Sequence, residues 1–422
     1  MKTTKWLLFF TSLSLPLYIV RCKNFDFCQT FSPLPFTLLE VFILATFVSW
    51  IVWKYKEMSA GTDSWQKLLQ RLQGPIFLPL GVFLLSALVG ALISADLRGG
   101  LGVFKAYFLE GFFLYLVSLD YLLLTKKFRL FLLGLVLAAT WVAGLSVWQW
   151  LSQSNPFAPQ ELLRDRVSAV YTTSNAVGLF VGPLVPLTVG WFFLEFKRFH
   201  KSSLWKVLLI IVPNLFLGIW VSGSRGALLA LPLAGLFLFL YWIFGKAIFR
   251  KNRFPKIYLA VTVFLFVGIA TFFLNLNLLL PEGKIRNSVE SRLCFWDGTK
   301  KLLADRPLQG SGLDAFRLEY PKYATCNREK NEYPHNIFLN FWTQIGLVGL
   351  LAFLWVTLLL VFELLRYREG VFLRIFLCAS FVVIYTHGLV DVPFFKNDLS
   401  AQFWLLLAFG VFLTKARSSP SG

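Results

Sequence analysis

The chain has 422 residues and a formal net charge of +19; 57% of its residues are hydrophobic and only 15% are charged. Soluble domains carry about a quarter charged residues, so this composition excludes an ordinary soluble protein. The positive charge alone would suggest a nucleic-acid partner. No DNA- or RNA-binding motif is present, however, and lysine and arginine in the loops between apolar segments account for most of the charge.

Apolar runs of about twenty residues recur along the chain, and each is long enough to cross a bilayer as an α-helix. The lipid core offers no hydrogen-bonding partners, and the runs lack the alternation of membrane-barrel strands. The sequence therefore predicts an all-α polytopic membrane protein, a single integral membrane domain over residues 1–422 with about twelve transmembrane helices. The predicted spans are 6–20, 36–53, 75–94, 104–124, 130–150, 175–195, 204–221, 226–245, 257–275, 336–362, 373–390 and 400–414.

The loops predict the orientation of these spans. Basic residues are concentrated in alternate loops, and the richer set includes both ends of the chain, so the positive-inside rule places both termini in the cytoplasm. The first span resembles a signal peptide, but no small-residue cleavage site follows it, which favours a retained helix. Residues 276–335 form a large non-cytoplasmic loop between the ninth and tenth spans. Within it, residues 288–303 have the apolar spacing of an amphipathic helix lying at the membrane surface.

Cysteine usage agrees with this topology. Cys22, Cys28, Cys294 and Cys326 fall on the non-cytoplasmic side, whereas Cys378 lies within a predicted helix. Of the pairings that four cysteines allow, Cys22–Cys28 with Cys294–Cys326 is the most local, and the sequence does not select among them.

No P-loop, dinucleotide-binding glycine motif, zinc-protease motif or serine-hydrolase elbow is present, so the candidate chemistry rests on polar residues at the outer ends of helices. Arg225, in the segment Ser222–Gly226, separates two apolar spans and should lie at the outer membrane boundary. A guanidinium there is costly unless it meets an anion or faces water, and its geometry suits phosphate oxygens. The alternative is an arginine that anchors the hairpin at the interface.

Two further candidates lie in the large loop. Arg292 belongs to the predicted amphipathic helix, where it could equally be a solvated charge. His335 follows Pro334 at the start of a long apolar span, and Asn336 next to it is suited to cap that helix. An imidazole half in water accepts a proton near neutral pH, which suits a general base for a hydroxyl nucleophile. A purely structural cap is the alternative.

The remaining outer-face polar residues complete a cationic surface with few carboxylates. This surface includes Arg98, Lys105, Arg164, Arg166 and the segment from His387 to Asp391. It fits an anionic lipid-phosphate substrate better than a neutral solute, and it disfavours the paired-carboxylate chemistry of glycosidases. Two acidic residues within the fourth span, Glu110 and Asp120, are the best support for a transporter.

Four segments occur in an order that carries a family resemblance. They are Arg166 with Thr173–Gly178; Ser222–Ala227; Arg292, Trp296 and Pro307–Gly312 with Phe316; and His335–Leu339 with Gly346–Gly349. They resemble, respectively, the Arg…Asn-Pro-Asn, Ser-Arg-Gly, Arg…Trp…Pro-x-x-Gly-x-Gly…Phe and His-Asn-x-x-Leu…Gly-x-x-Gly segments of the O-antigen ligase/polymerase superfamily. The first segment departs from the family pattern because it lacks the proline.

The resemblance implies a bacterial inner-membrane glycosyltransferase with its active site on the periplasmic side, inverting, metal-independent and without a cofactor. The donor would be a glycan linked to undecaprenyl diphosphate, and the acceptor a sugar hydroxyl of lipid A–core. By carry-over, Arg225 and Arg292 would stabilise the leaving diphosphate, and His335 would take the acceptor proton. The other expected substrate-binding residues are Arg166, Asn336, Lys105 and Asp391.

Alternative functions remain open at this point. An O-antigen polymerase of the same superfamily would use the same donor but extend a carrier-linked chain. A protein O-oligosaccharyltransferase would differ again in its acceptor, and a transporter would also have many spans.

Overall fold

The computed structural model describes residues 1–19, 37–198, 203–248, 282–324, 332–366 and 371–415. Within these ranges the protein is helical and contains no β-strand, as the sequence predicts. We number the helices in chain order: α1 Lys2–Leu13, α2 Leu38–Ser59, α3 Trp65–Leu72, α4 Phe77–Leu92, α5 Leu97–Val103, α6 Glu110–Thr125, α7 Phe128–Ser152, α8 Pro159–Leu162, α9 Asn175–Val181, α10 Leu184–Phe196, α11 Leu204–Ser222, α12 Arg225–Ile248, α13 Glu282–Asp305, α14 Phe316–Glu319, α15 Ile337–Arg366, α16 Val371–Gly388 and α17 Asn397–Lys415. A π-helical stretch, Phe104–Leu109, joins α5 to α6.

In the described part of the chain, eight helices are long and apolar enough to cross a membrane, or up to nine if the bent pair α3–α4 counts as one span. Twelve spans are therefore not confirmed. The predicted span 6–20 is not one spanning helix, because α1 ends at Leu13 and a short 3₁₀ helix follows. The predicted span 257–275 lies outside the described residues, and α16 is among the shorter apolar helices.

A sharp kink divides α15, and the turn between α13 and α14 packs against the backbone at this kink. Gly346 has a φ of +75° inside this helix, so the regular backbone hydrogen bonding is broken there. Residues of the preceding turn take up the exposed groups: Ser311 N donates to Thr343 O over 2.7 Å, and Leu347 N donates to Leu308 O over 2.9 Å. The turn thus fixes the N-terminal part of α15, which carries the polar residues described below.

Replacing Gly346 with alanine is expected to destabilise the protein by about 1–3 kcal/mol, because an L-residue is strained at this backbone conformation. The added Cβ would also collide with Leu308 O. The midpoint of thermal unfolding in detergent measures the effect. Gly81→Ala is the matched control, since a Cβ at Gly81 meets no atom within 4 Å. An unchanged midpoint for Gly346→Ala would show that the kink tolerates a side chain.

The acidic residues inside the fourth predicted span have partners within the fold. The Asp120 carboxylate lies 2.8 Å from Lys54 Nζ and 3.1 Å from Arg71 Nε, and it accepts a hydrogen bond from Trp50 Nε1 over 2.9 Å. Glu110 lies 3.4 Å from Lys105 Nζ. Buried charges persist when they are paired in this way, so a structural role accounts for both acids.

Candidate functional site

The site is centred on a histidine–aspartate pair where α15 begins. His335 Nδ1 lies 3.2 Å from Asp391 Oδ1, and the histidine side chain is 31% exposed. Asp391 is buried, and burial raises the pKa of its carboxyl. The hydrogen bond and charge of His335, together with the charges of His387 and Lys396, lower this pKa by more than burial raises it, so the net shift is downward. An ionised carboxylate only accepts hydrogen bonds, so Nδ1 of His335 is the donor. In the neutral imidazole, the second ring nitrogen, Nε2, is then an acceptor.

Asn175 extends this pair toward Arg166. The Asn175 amide donates to Asp391 Oδ2 over 3.0 Å, and its carbonyl oxygen accepts from Arg166 Nη2 over 2.8 Å. The sequence analysis named the segment that contains Asn175 but did not predict Asn175 as a site residue. The one feature of the sequence that pointed to Asn175 was its position in the Arg…Asn segment of the family resemblance.

Arg166 holds the turn that leads to Arg225. Its guanidinium donates to the carbonyl oxygens of Ser222 (3.2 Å) and Gly223 (3.0 Å), at the C-terminal end of α11. Gly223 ends that helix with a φ of +63°, a left-handed conformation that glycine adopts without strain. Arg166 was expected to bind substrate; the structure places several of its donors on the protein itself.

Four guanidinium groups share one electrostatic environment. Burial lowers the pKa of Arg166; Glu161 opposes this, while the charges of Arg225, Arg164 and Arg292 lower the pKa further. Arg225 and Arg292 also repel one another. Arg292 Nε donates to Val390 O over 2.8 Å, whereas the Arg225 side chain has no hydrogen bond or ion pair with any residue that the structure describes. Converging cations of this kind favour a multiply charged anion.

Glycine follows Arg225 for a steric reason. A Cβ on Gly226 would collide with the ring of His387, which is buried beneath the start of α12. The close approach sets the start of α12 against the C-terminal end of α16. The Ser-Arg-Gly pattern therefore combines a half-buried cation, Arg225, with a glycine that leaves room for the His387 ring.

The segment Leu389–Asp391 links α13 to the start of α15. Leu389 O accepts from Asn336 Nδ2 over 3.0 Å, and Val390 O accepts from Arg292 as described. Asn336 also caps α15: its Oδ1 accepts from Phe338 N and Leu339 N over 3.0 and 3.1 Å. The capping prediction is confirmed, and both the nitrogen and the oxygen of the Asn336 side-chain amide form hydrogen bonds within the protein.

Helix α13 is held against the histidine from the other side. Trp296 Nε1 donates to Pro334 O over 3.1 Å, and the rings of Phe295 and His335 lie 5.9 Å apart. Phe295 belongs to a small hydrophobic cluster with Phe316 and Tyr320. At Glu282–Asp305, α13 is longer than the amphipathic helix predicted at 288–303.

The structure assigns the cysteines only in part. Cys294 on α13 is disulfide-bonded, and Cys378 is a free, buried thiol. The other cysteines, Cys22, Cys28 and Cys326, lie outside the described residues, so the predicted pairings Cys22–Cys28 and Cys294–Cys326 stay predictions.

Lys105 has a different setting from the other predicted site residues. Its ammonium group lies 3.0 Å from Glu40 Oε1 and 3.4 Å from Glu110 Oε1, so its ion pairs join helices of the bundle. The remaining predicted residues are brought together by hydrogen bonds or by their mutual electrostatic effects. In the described ranges no group of three His, Cys, Asp or Glu residues is placed to hold a metal ion.

Comparison with models of protein families gives a match over part of the chain. The family model described as O-antigen ligase matches residues 209–354, a range that contains Arg225, Arg292, His335 and Asn336. Arg166, Asn175 and Asp391 lie outside the matched range but contact residues of the site. No curated protein matches the chain with a significant score.

Proposed function

We propose that this chain is an O-antigen ligase-type glycosyltransferase. The premise is that it is a member of the O-antigen ligase superfamily. The donor would be a glycan carried on undecaprenyl diphosphate, and the acceptor a sugar hydroxyl of lipid A–core. The enzyme would lie in the bacterial inner membrane, with both termini in the cytoplasm and the His335 site at the periplasmic face. Residues 276–335 would then form a periplasmic loop that supplies one wall of that site.

The observation that carries the proposal is the His335–Asp391 pair beside Arg225 and Arg292. A partly exposed imidazole whose Nδ1 is held by a carboxylate presents Nε2 to a substrate hydroxyl. Asp391 also stabilises the imidazolium that forms when Nε2 takes a proton. Cations next to such a base suit a reaction in which the nucleophile loses a proton and the leaving group gains negative charge.

The proposed reaction is a single displacement. The acceptor hydroxyl oxygen forms a bond to the anomeric carbon of the donor while the bond from that carbon to the diphosphate oxygen breaks. The hydroxyl proton passes to His335 Nε2, and the bonding electron pair leaves with undecaprenyl diphosphate. Attack opposite the leaving group inverts the anomeric configuration.

The arginines would contribute mainly through the leaving group. Negative charge on the diphosphate increases as the glycosidic bond breaks, so fixed cations nearby lower the energy of the transition state more than that of the bound donor. Arg166, Asn175 and Asn336 would hold this arrangement in place through their contacts with the protein. Two lipid-borne substrates bound at one membrane boundary would also gain from proximity.

Purified protein supplied with a carrier-linked glycan and lipid A–core, without added metal, tests the proposal directly. Glycosylated lipid A–core supports a ligase. Longer carrier-linked chains in place of that product would identify a polymerase, and transfer to a protein hydroxyl would identify an O-oligosaccharyltransferase. Movement of a glycan across proteoliposomes with no transfer would identify a transporter.

Asn175→Ala is expected to reduce kcat roughly tenfold while leaving the KM for the donor nearly unchanged. The reason is that the Asn175 amide donates its hydrogen bond to the Asp391 carboxylate and so orients Asp391 rather than the substrate. Asn214→Ala is the matched control: this half-buried helical asparagine donates to Thr140 O over 2.9 Å, away from the site. A rise in donor KM without a change in kcat would instead place Asn175 in donor binding.

A further inference from the structure

The imidazole ring of His335 has two aromatic neighbours. The centroid of the Tyr333 ring lies 5.7 Å from that of His335, and the two ring planes stand at 82° to each other. The second neighbour is Phe295, described above. Tyr333 is partly buried against the hydrophobic core and precedes His335 by only one residue, Pro334. A sugar whose hydroxyl group reaches His335 Nε2 is therefore brought close to the Tyr333 side chain.

The Tyr333 hydroxyl forms a hydrogen bond with the side chain of Glu332. Burial raises the pKa of Tyr333, and the charge and hydrogen bond of Glu332 raise it further. The phenol therefore stays protonated and donates to the carboxylate. Glu332 itself is exposed. A carboxylate has about four lone-pair sites, and one phenol uses only one of them, so Glu332 can accept further hydrogen bonds from hydroxyl groups.

Tyr107 approaches this pair from the membrane bundle. It lies in the π-helical stretch Phe104–Leu109, a backbone geometry that is rare and is often found at functional sites. Its carbonyl oxygen accepts from Trp404 Nε1 over 2.9 Å, which fixes the stretch against α17. Electrostatic effects connect the Tyr107 phenol with Glu332 and with Tyr333. We call these three residues, Tyr107, Glu332 and Tyr333, the tyrosine wall.

The tyrosine wall and the arginines of the site have separate electrostatic environments. The groups that chiefly shift the pKa of Arg166 through their charge are Glu161 and the other three arginines, and no residue of the wall is among them. The groups that chiefly shift the pKa of Tyr333 include Asp391 but no arginine. The site thus has a cationic side that suits a diphosphate and an acidic, hydroxyl-bearing side that repels one.

We propose that the tyrosine wall binds the acceptor sugar, with Glu332 and the two phenols hydrogen-bonded to hydroxyl groups next to the reacting one. A carboxylate accepts from sugar hydroxyls and neutral phenols both donate and accept, whereas a phosphate would meet a like charge there. The diphosphate of the donor is then confined to the arginine side, with His335 between the two substrates. The inference rests on the proposed function, because it assigns the acceptor half of that reaction.

Steady-state kinetics of the purified full chain, with lipid A–core and the donor varied in turn, test the inference. Tyr333→Phe keeps the ring and removes only the hydroxyl, and Glu332→Gln removes the charge at an exposed position. We expect each to raise the KM for lipid A–core roughly tenfold, with the KM for the donor within twofold. The kcat at saturating lipid A–core should change less, because uniform binding of an acceptor lowers KM without raising kcat. Thermal unfolding checks that each variant is folded.

A second phenol–carboxylate pair supplies matched controls. Tyr323 Oη donates to Asp305 Oδ2 over 2.6 Å. Asp305 is the last residue of α13, about 15 Å along that helix from Phe295. Tyr323→Phe and Asp305→Asn should leave both KM values within twofold of the unmodified protein. An unchanged KM for lipid A–core in both folded wall variants would overturn the inference, and so would a rise in the donor KM in its place.

Failure of the proposed function can be told apart from failure of this inference. If the unmodified chain does not glycosylate lipid A–core, the proposed function fails, whatever the variants do. Isothermal titration with dephosphorylated core oligosaccharide then tests the tyrosine wall without donor or turnover. Binding that weakens roughly tenfold in Tyr333→Phe, and not in Tyr323→Phe, would support a sugar site at the wall. Absence of binding, or equal binding by the two variants, would overturn it.

Discussion

Replacing His335 with asparagine is expected to reduce glycan transfer by roughly 10²- to 10⁴-fold, the usual contribution of a positioned general base. Asparagine suits this test because His335 has a φ of +50°, a left-handed conformation that asparagine tolerates well. Its amide group can also donate to Asp391 in place of Nδ1. What asparagine lacks is a basic nitrogen at the position of Nε2. The substitution therefore removes the proton acceptor and retains much of the local structure.

The measurement is the initial rate of transfer to lipid A–core by purified protein at saturating donor. His335→Ala provides a second variant, in which the bond to Asp391 is lost as well. Gln153→Ala controls for the strain of alanine at positive φ, since Gln153 has a φ of +51° at the exposed end of α7. Near-normal rates in His335→Asn, with Gln153→Ala also active, would eliminate His335 as the proton acceptor.

The sequence predicted the histidine and the arginine at the hairpin for physical reasons that operate locally. Pro334 ends the loop and Asn336 supplies a helix cap, so His335 is predicted to lie at a membrane boundary. Arg225 is predicted to do so because apolar runs begin directly on both sides of its short polar segment. Positions of this kind follow from hydropathy and helix capping, which depend on near neighbours in the chain.

The connections among these residues depend on tertiary contacts, which single-sequence reasoning cannot supply. Leu389 and Val390 take part through their backbone carbonyl oxygens, and every residue type has such a group. Arg166 is of a residue type that often binds phosphate, yet its guanidinium donates hydrogen bonds to backbone carbonyl oxygens at the end of α11. Lys105 illustrates the same limit, since its pairing with Glu40 brings together residues far apart in the chain. The kink at Gly346 lies inside an apolar run whose hydropathy continues unbroken through it.

Arg225→Ala is expected to reduce kcat for transfer by roughly 10²- to 10³-fold, comparable to the loss of one preorganised group that stabilises a transition-state anion. The charge is also expected to matter for donor binding, so the KM for the carrier-linked glycan should rise. Arg225→Lys should recover only part of the activity, because an ammonium group does not reproduce the paired donors of a guanidinium. Arg292→Ala should lose activity in the same direction, and it also removes the hydrogen bond to Val390 O.

Arg225 is the more decisive of the two arginines because its side chain has no hydrogen bond or ion pair with the described residues. Its removal leaves no protein acceptor there unsatisfied, so a loss of activity would report an interaction with substrate. Arg98→Ala is the matched control, since it removes an exposed guanidinium predicted on the same membrane face. An equal loss in Arg98→Ala would mean that overall surface charge attracts the donor. Full activity of folded Arg225→Ala would remove Arg225 from the reaction and leave it as an interfacial anchor.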